Sequence, residues 1–310
     1  MMTTFGDVAL LDDALRAVVL GRLANATEGL TPQDRQRLDF FAHAMTGSVA
    51  PAGLPDLPPG VLFCAAQDVM ALFGQASAEA VFVRRGSILV RAASRVRAQN
   101  DPSCTGVRHA AQPQDLNEVA WRQPYGKFFA MEEVDIGWRR FDGQMTAPIT
   151  RAVFVSGDAV TVLPYDPVRD RVLVVEQFRA GPYARGDRQP WQIEAIAGRI
   201  DPDETPEMAA RREAVEEAGL TLGSMHRVAG YYPSPGAVTE YLYSYVSLVD
   251  LPDGAAGVFG LAEEQEDIRG HILGFDRLME MVASGEIANA PLILTAYWLA
   301  QARSTLRAKT

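Results

Sequence analysis

The residue pattern changes near residue 128, and this change constrains the fold more than any other feature of the chain. Before it, apolar residues recur at helical spacing. After it come short β-rich runs, among them ITRAVFV (149–155) and RVLVVEQF (171–178), with turn residues between them. Helical segments stand between and after these runs, at 206–218 and near the end of the chain. Strands mixed with helices predict an α/β (or α+β) fold in which helices flank a mixed sheet.

A chain of 310 residues exceeds the size of one typical core, so we expect two domains. We place a mainly helical region at 1–120, with one helix at 7–21 and another that begins at Thr31-Pro32. The sheet domain is expected at 121–310. Residues 99–127 show no clear period and predict a linker that crosses a surface.

Composition narrows the classes of partner. The formal net charge of -10 and the pI of about 5.0 argue against nucleic-acid binding, which needs a basic surface. No apolar run approaches the roughly 18–20 residues of a membrane-spanning helix, and the first residues lack a signal-peptide pattern. The two cysteines form no CxxC pair. We therefore expect a cytoplasmic protein with no nucleic-acid or membrane partner.

One acidic segment, GRIDPDETPEMAARREAVEEAGL (198–220), carries seven carboxylates in 23 residues. Thr205 as N-cap and Gly219 at the C-terminal position predict a helix over 206–218. At 3.6 residues per turn, its glutamates 213, 216 and 217 lie close together on one side, which destabilises a bare helix by a few tenths of a kcal/mol per pair. A bound divalent cation reverses that repulsion, whereas a solvated helix surface is the alternative interpretation.

The spacing of this segment resembles the Nudix box, G-x5-E-x7-R-E-U-x-E-E-x-G-U, where U is a bulky aliphatic residue. Eight of its nine defined positions match, and Ala214 stands where U is expected. The resemblance implies the Nudix α/β/α sandwich with a mixed sheet. It also implies hydrolysis of a nucleoside diphosphate linked to another group, with Mg²⁺ or Mn²⁺ as cofactor. The implied metal ligands are Glu213, Glu217, the auxiliary Glu216 and the carbonyl of Ala197.

The flanking segments resemble the ADP-ribose pyrophosphatase subfamily of Nudix enzymes. The similarity lies in FDGQM (141–145), the Ser-Pro-Gly turn at 234–236 and LAEEQEDIRGHIL (261–273). It implies that ADP-ribose and water give AMP and ribose 5-phosphate. It also implies a homodimer in which the chain before the sheet is exchanged between subunits. A hydrolase of another nucleoside diphosphate sugar, and a non-catalytic sensor of ADP-ribose or NAD-type ligands, are the alternatives.

The same resemblance assigns further site residues. Glu264 would be the general base, with Glu263 as a second choice, although an acidic loop can also be only a solvated surface. For Phe128 the implied role is stacking on adenine, and core packing is the alternative. For Arg179 it is phosphate contact, and a surface ion pair is the alternative. The remaining implied residues are Arg151 and Pro235 around the nucleotide, Glu240 shaping the site, and Glu266 as a further metal ligand.

In the helical region, EGLTPQDRQRLDFF (28–41) resembles part of a γ-glutamylcyclotransferase-like fold. Such a segment precedes a Nudix domain in α-proteobacterial proteins associated with tellurite resistance. This chain has Thr4-Phe5-Gly6-Asp7 in place of the YGTL-type substrate loop. The catalytic glutamate of that fold is expected where LDFF runs into Ala42, and it is absent here. We therefore expect a degenerate, non-catalytic region that supports dimer formation or docking.

Overall fold

A computed structural model describes residues 31–48, 56–101, 105–261 and 266–308. Two compact units divide the chain: an N-terminal unit, Met1–Gly157 with Ser234–Thr239, and a C-terminal unit, Asp158–Pro233 with Glu240–Thr310. The helix expected at 7–21 lies outside the described residues.

The described part of the N-terminal unit begins with helices. α1 starts at Pro32, as its Thr31-Pro32 signal predicts. The helices pack around a common apolar core that includes the fully buried Phe41 and Val81. The bounds of these helices are α1 Pro32–Thr46, α2 Pro59–Ala71, α3 Ala78–Phe82 and α4 Arg85–Asn100. The described ranges 31–48 and 56–101 are mainly helical.

A three-stranded antiparallel sheet completes the unit, in the order β1-β2-β3. The strands are β1 Leu116–Gly126, β2 Ala130–Trp138 and β3 Ile149–Val155. The prediction of a linker over 99–127 is wrong for its second part, because β1 occupies it. Two register shifts interrupt the pairing of β1 with β2, and Pro124 lies within β1. These irregularities removed the alternation by which a strand is recognised from sequence.

The C-terminal unit contains an eight-stranded mixed sheet. Its main path runs β10-β11-β5-β4-β9-β8, with β6 beside β5 and β7 beside β4. The pairing of β4 with β9 is parallel, whereas the other ladders are antiparallel. The strands are β4 Ala159–Asp166, β5 Arg171–Phe178, β6 Trp191–Glu194, β7 Ile196–Arg199, β8 Met225–Tyr231, β9 Leu242–Leu248, β10 Val258–Phe259 and β11 Ile268–Gly274.

Helices cover both faces of this sheet. On one face α6 packs on a cluster that includes Val160 and Val175. The other face packs on α7 and α8 through a cluster that includes Leu163 and Val174. The helices are α5 Ala180–Arg185, α6 Pro206–Ala218, α7 Phe275–Ser284 and α8 Ala290–Arg307. The predicted α/β/α sandwich with a mixed sheet is confirmed.

Within the described ranges, no helix combines the length and the apolar character that crossing a membrane requires. The cytoplasmic location stays a prediction.

Candidate active site

The acidic helix α6 forms where its sequence signals place it. The Thr205 hydroxyl accepts a hydrogen bond from the Met208 N–H at 3.2 Å, and Pro206 occupies the first helical position. Gly219 ends the helix with φ +62°, a conformation that favours glycine. The side of α6 that faces the sheet carries small side chains, and all of them are buried: Ala209, Ala210, Ala214 and Ala218. The departure of Ala214 from the family pattern therefore lies in the core, away from the carboxylates.

Arg212 holds two of the helix glutamates in place. Its Nη1 donates to Glu213 Oε1 at 2.7 Å and to Glu216 Oε2 at 2.9 Å. The guanidinium is itself fixed, because Nε and Nη2 donate to Glu204 at 2.9 and 3.0 Å, and Nη2 also donates to the Arg199 carbonyl. Arg212 and Glu216 are four residues apart, which places them one helical turn from each other on α6. Glu204 aligns the arginine and so acts on the other glutamates indirectly.

Glu217 is the most enclosed carboxylate of the helix, with 2% of its surface exposed. Its Oε2 accepts a hydrogen bond from the Ala197 N–H at 3.1 Å, so the helix and the edge of β7 meet at this carboxylate. The Ala197 residue predicted as a carbonyl ligand thus lies beside Glu217. Glu213 is also largely buried, with 12% of its side chain exposed.

Burial raises the pKa of Glu217 to about 8, although the Ala197 N–H lowers it; Glu213 and Glu266 raise it further. Burial likewise raises the pKa of Glu213 to about 7 against the lowering effect of Arg212, with Glu216 and Glu266 adding to the rise. The three glutamates Glu213, Glu217 and Glu266 therefore share one local electrostatic environment. Several negative groups in a poorly solvated site favour a bound cation.

Glu266 follows the acidic segment and is bonded to Leu261, the residue that precedes it. The Leu261 N–H donates to Glu266 Oε2 at 3.2 Å, and the Glu266 N–H donates to the Leu261 carbonyl at 3.2 Å. The proposed bases Glu263 and Glu264 lie between these two residues, outside the described part of the chain. The roles predicted for all three glutamates stay predictions.

Arg179 and Glu240 lie in the same unit as α6. Burial raises the pKa of both Glu217 and Glu240, and the Arg179 cation partly offsets this rise in each. Arg199 also lowers the pKa of Glu240. Arg179 forms an ion pair with Glu194, its Nη2 lying 2.7 Å from Oε2. The arginine therefore makes the ion pair named as the alternative to phosphate contact, and 40% of its side chain remains exposed.

Phe128, Arg151 and Pro235 belong to the N-terminal unit. Phe128 is 63% exposed and makes an edge contact with Phe129 at 4.8 Å between ring centres, so core packing is not its role. Arg151 lies on β3 with its guanidinium 5.8 Å from the centre of the Trp138 ring. Pro235 is exposed. Its segment is bonded to β3, because the Phe154 N–H donates to the Ala237 carbonyl. Their predicted contacts with a nucleotide stay predictions.

The oxygen ligands on α6 fit a hard divalent cation in type and in charge. Among the described residues, no group of three carboxylate, histidine or cysteine side chains is already arranged around a metal position. Arg212 instead occupies oxygens of Glu213 and Glu216. The second oxygen of each carboxylate is not bonded to Arg212, so that oxygen is the candidate ligand for a cation.

Sequence reasoning did not single out Glu194 or Arg199. Glu194 stands in the strand run WQIEAIAG (191–198), where a single charge interrupts apolar residues. A lone carboxylate in a buried strand needs a partner, which was the available signal. Its partner on the other side, Asn289, lies 95 residues further along and cannot be paired with it from sequence.

A mixed sheet between helix layers, with this arrangement of glutamates on α6, defines a Nudix-type hydrolase site, and the model of the NUDIX domain matches residues 155–285. The chain belongs to the Nudix family of hydrolases. It is 38% identical over 185 residues to the ADP-ribose pyrophosphatase of Escherichia coli (strain K12), which covers 60% of this chain and 88% of that protein. The ADP-ribose pyrophosphatase of Haemophilus influenzae is 32% identical over 195 residues, 62% of this chain and 89% of that protein.

A second activity occurs among the relatives. The GDP-mannose pyrophosphatase of Salmonella paratyphi B is 33% identical over 172 residues, 56% of this chain and 88% of that protein. A solved structure described as an ADP compounds hydrolase covers 61% of this chain and 97% of that chain, with 18% identity and a TM-score of 0.47.

Proposed function

We propose that this protein hydrolyses the pyrophosphate bond of ADP-ribose to AMP and ribose 5-phosphate. The observation that carries the proposal is the acidic cluster of α6, in which Arg212 bonds to Glu213 and Glu216 while Glu217 accepts a hydrogen bond from the Ala197 N–H. The similarity to enzymes named ADP-ribose pyrophosphatase over about nine-tenths of their length supports this substrate.

We infer that Glu213, Glu217, Glu266 and, as an auxiliary ligand, Glu216 hold Mg²⁺ or Mn²⁺ together with the carbonyl of Ala197. When bound, such an ion neutralises the pyrophosphate and lowers the pKa of the attacking water. The residues fit it because two of these glutamates are buried and carry raised pKa values, so a dication relieves their mutual repulsion.

The protein's own groups supply the remaining chemistry. In this proposal the oxygen of a water molecule forms a bond to one phosphorus, and the carboxylate of Glu264 accepts a proton from that water. The bond from that phosphorus to the bridging oxygen breaks, and its electron pair stays on the leaving phosphate. Arg179 and Arg151 stabilise the negative charge on the phosphate oxygens. Phe128 stacks on adenine, while Pro235 and Glu240 shape the nucleotide site.

We propose further that the protein is a homodimer in which the strands before the large sheet are exchanged. The three-stranded sheet supports this proposal, because its strands leave several large apolar side chains exposed: Leu116, Val119, Tyr125 and Ile149. Light scattering after size exclusion tests it, and a monomer at micromolar concentration would contradict it. Phe128→Ala and Val119→Ser separate the roles, since the first is expected to weaken substrate binding and the second only the dimer.

The function is tested by turnover of ADP-ribose with Mg²⁺, with the products identified by chromatography. We expect AMP and ribose 5-phosphate in equal amounts. Glu217→Gln and Glu264→Gln are expected to lower kcat by at least about 10²-fold, because each removes a group that acts in the transition state. Reaction in H₂¹⁸O shows which phosphorus is attacked. An inactive wild-type enzyme, or an unimpaired Glu217→Gln variant, would refute the proposal.

GDP-mannose is the second candidate substrate, because a GDP-mannose pyrophosphatase is 33% identical to this chain. Comparison of kcat/KM for the two compounds decides between them. A ligand sensor is the third candidate, and it predicts ADP-ribose binding with no turnover at any metal concentration. The intact carboxylates of α6 favour catalysis.

A further inference from the structure

Arg179 is held by a chain of side chains that comes from three separate elements. It follows β5 directly, and its backbone N–H is fixed to the Pro190 carbonyl at 3.0 Å. Its Nε and Nη2 approach a single oxygen, Oε2 of Glu194 on β6, at 2.8 and 2.7 Å. A guanidinium bonded on one edge in this way has lost most of its rotational freedom.

The other oxygen of Glu194 has a partner as well. Glu194 Oε1 accepts from Asn289 Nδ2 at 2.8 Å, and Asn289 Oδ1 accepts from the Leu292 N–H at 3.0 Å as the N-cap of α8. Asn289 is thereby fixed at both ends of its amide group. The Glu194 side chain is 9% exposed, so its orientation is set by these bonds and not by solvent.

The remaining edge of Arg179 is available. Among the described residues, its Nη1 has no hydrogen-bond partner, although 40% of the side chain is exposed. The same cation influences Glu217 and Glu240. A neutral buried acceptor would hold the guanidinium less firmly than the carboxylate of Glu194, whose bonds to it are charge-assisted.

We propose that Glu194 and Asn289 are positioning residues that preorganise Arg179 for the diphosphate of the substrate. This inference rests on the proposed function. It assigns the carboxylate of β6 and the cap of the last helix to substrate binding, although neither residue touches the substrate. Their effect is expected mainly in KM, because a preoriented cation binds the charged diphosphate before the reaction as well as during it.

The test is a double-mutant cycle on kcat/KM, with the better of ADP-ribose and GDP-mannose as substrate. Glu194→Gln keeps the side-chain shape and removes the charge, and we expect KM to rise about tenfold, the effect of a charge-assisted hydrogen bond. In the Arg179→Ala background the same substitution should change KM by less than about twofold, since its target is gone. Full additivity of the two effects would overturn the proposal.

Asn289→Ser gives a second variant that separates capping from positioning. Serine is a good N-cap, so α8 is expected to stay intact while the donor to Glu194 is lost. KM should rise less than for Glu194→Gln but in the same direction. The matched control is Asp170→Asn, which removes another partly buried carboxylate bonded to arginine, at the opposite end of β5. The control should lower Tm without a change in KM.

A readout without substrate or metal accompanies the kinetics. In ¹⁵N NMR the Nε–H of Arg179, assigned by its loss in Arg179→Lys, should exchange slowly in the wild type and at least about tenfold faster in Glu194→Met. Unchanged exchange, or a loss of Tm with unchanged KM, would reduce Glu194 to a structural residue and refute the inference. A wild-type enzyme that hydrolyses neither compound would refute the proposed function instead, a different result from additivity in an active enzyme.

Discussion

Gly198 lies directly beneath the carboxylate of Glu213, so that a Cβ atom built on the glycine would overlap Oε1, Cδ and Cγ of the glutamate. Glycine at the first position of the acidic segment is therefore required by a side chain that comes fifteen residues later. The requirement is steric, because no positive φ is involved at this glycine. The backbone of β7 and one turn of α6 approach so closely that only hydrogen fits between them.

We predict that Gly198→Ala lowers kcat by about 10²-fold while the protein stays folded. The added methyl group meets the end of a flexible side chain, so Glu213 is displaced and the fold is kept. A displacement of about 1 Å at a catalytic group is sufficient for a loss of this size. Steady-state kinetics and circular dichroism measure the two effects. Gly274→Ala is the control, since its added Cβ meets nothing within 4 Å, and equal losses in both variants would contradict the steric explanation.

The raised pKa values of Glu213 and Glu217 predict how metal affects stability. The ordinary pKa of a glutamate is 4.5, and the folded values are about 7 and about 8. A carboxyl group whose pKa rises on folding stabilises the fold fully below the ordinary value and loses that contribution as pH rises through the folded value. The metal-free protein should therefore become less stable between about pH 4.5 and 8.

Mg²⁺ should restore this loss, because it binds the ionised glutamates. We expect Tm to increase when EDTA is replaced by about 10 mM Mg²⁺. This increase should be larger at pH 8.5 than at pH 6. Differential scanning fluorimetry measures it. The control variant Glu280→Gln, on the exposed side of α7, should behave as the wild type. An increase that is larger at pH 6 would show that these glutamates are not the ligands.

A buried ion network predicts that the N-terminal helices and the small sheet unfold together. Arg95 of α4 bonds both to Asp68 of α2 and to Glu132 of β2, where its Nη2 lies 2.7 Å from Oε1. Asp68 and Glu132 are 2% and 5% exposed. Arg95→Met removes the cation that bonds directly to both buried carboxylates, and it leaves Asp68 only the more distant Arg91, whose Nε lies 3.9 Å from Oδ2. The substitution should cost about 3–5 kcal/mol of unfolding free energy.

Urea denaturation of the full chain measures this change. Arg85→Met on the exposed side of the same helix is the control and should have little effect. Because the network joins residues on both sides of position 120, a large loss would argue against a domain boundary there. If Arg95→Met is as stable as the wild type, the predicted boundary between 120 and 121 gains support.

Local signals explain which parts of the structure could be predicted. Helix α6 begins and ends at the predicted residues because Thr205, Pro206 and Gly219 act within one turn of the helix ends. Strand β1 was missed because its pairing is irregular and contains Pro124. The close approach of Glu213 to Gly198 was not predicted, because the family motif gives only their spacing along the chain. Its physical reason needs the distance between a strand and a helix, which no local pattern contains.

The support of Arg179 was out of reach for a different reason. Glu194 and Asn289 have no spacing that relates them, and each residue type is common in proteins. Their pairing follows from the packing of α8 against the sheet, which is a consequence of the whole core. Predictions from sequence were therefore best for residues in one continuous motif and poorest for the residues that orient them.

The turn between β4 and β5 provides a last prediction, on acid stability. Asp170 adopts φ +57° and accepts hydrogen bonds from Tyr165 OH and Arg303 Nε, each at 2.8 Å. Arg307 Nη1 also lies 2.7 Å from its carboxylate. Burial alone would raise the pKa of Asp170, but the bonds from Arg303, Tyr165 and Arg307 lower it from 3.8 to about 2.

A carboxyl group with a lowered pKa stabilises the fold above its ordinary value of 3.8 and loses this contribution as pH falls through about 2. We expect Asp170→Asn to cost about 1–2 kcal/mol at pH 7, a value reduced for the partly exposed arginines, and the difference from wild type to shrink between pH 4 and 2. Asparagine tolerates the positive φ, so backbone strain does not contribute. Urea denaturation across this pH range is the measurement.

Asp253→Asn is the matched control, because its bond to Arg171 is equally short at 2.7 Å but Asp253 is 97% exposed, and no measurable change is expected. If Asp170→Asn differed from the wild type by the same amount at pH 7 and pH 2, its effect would come from packing and not from the charge.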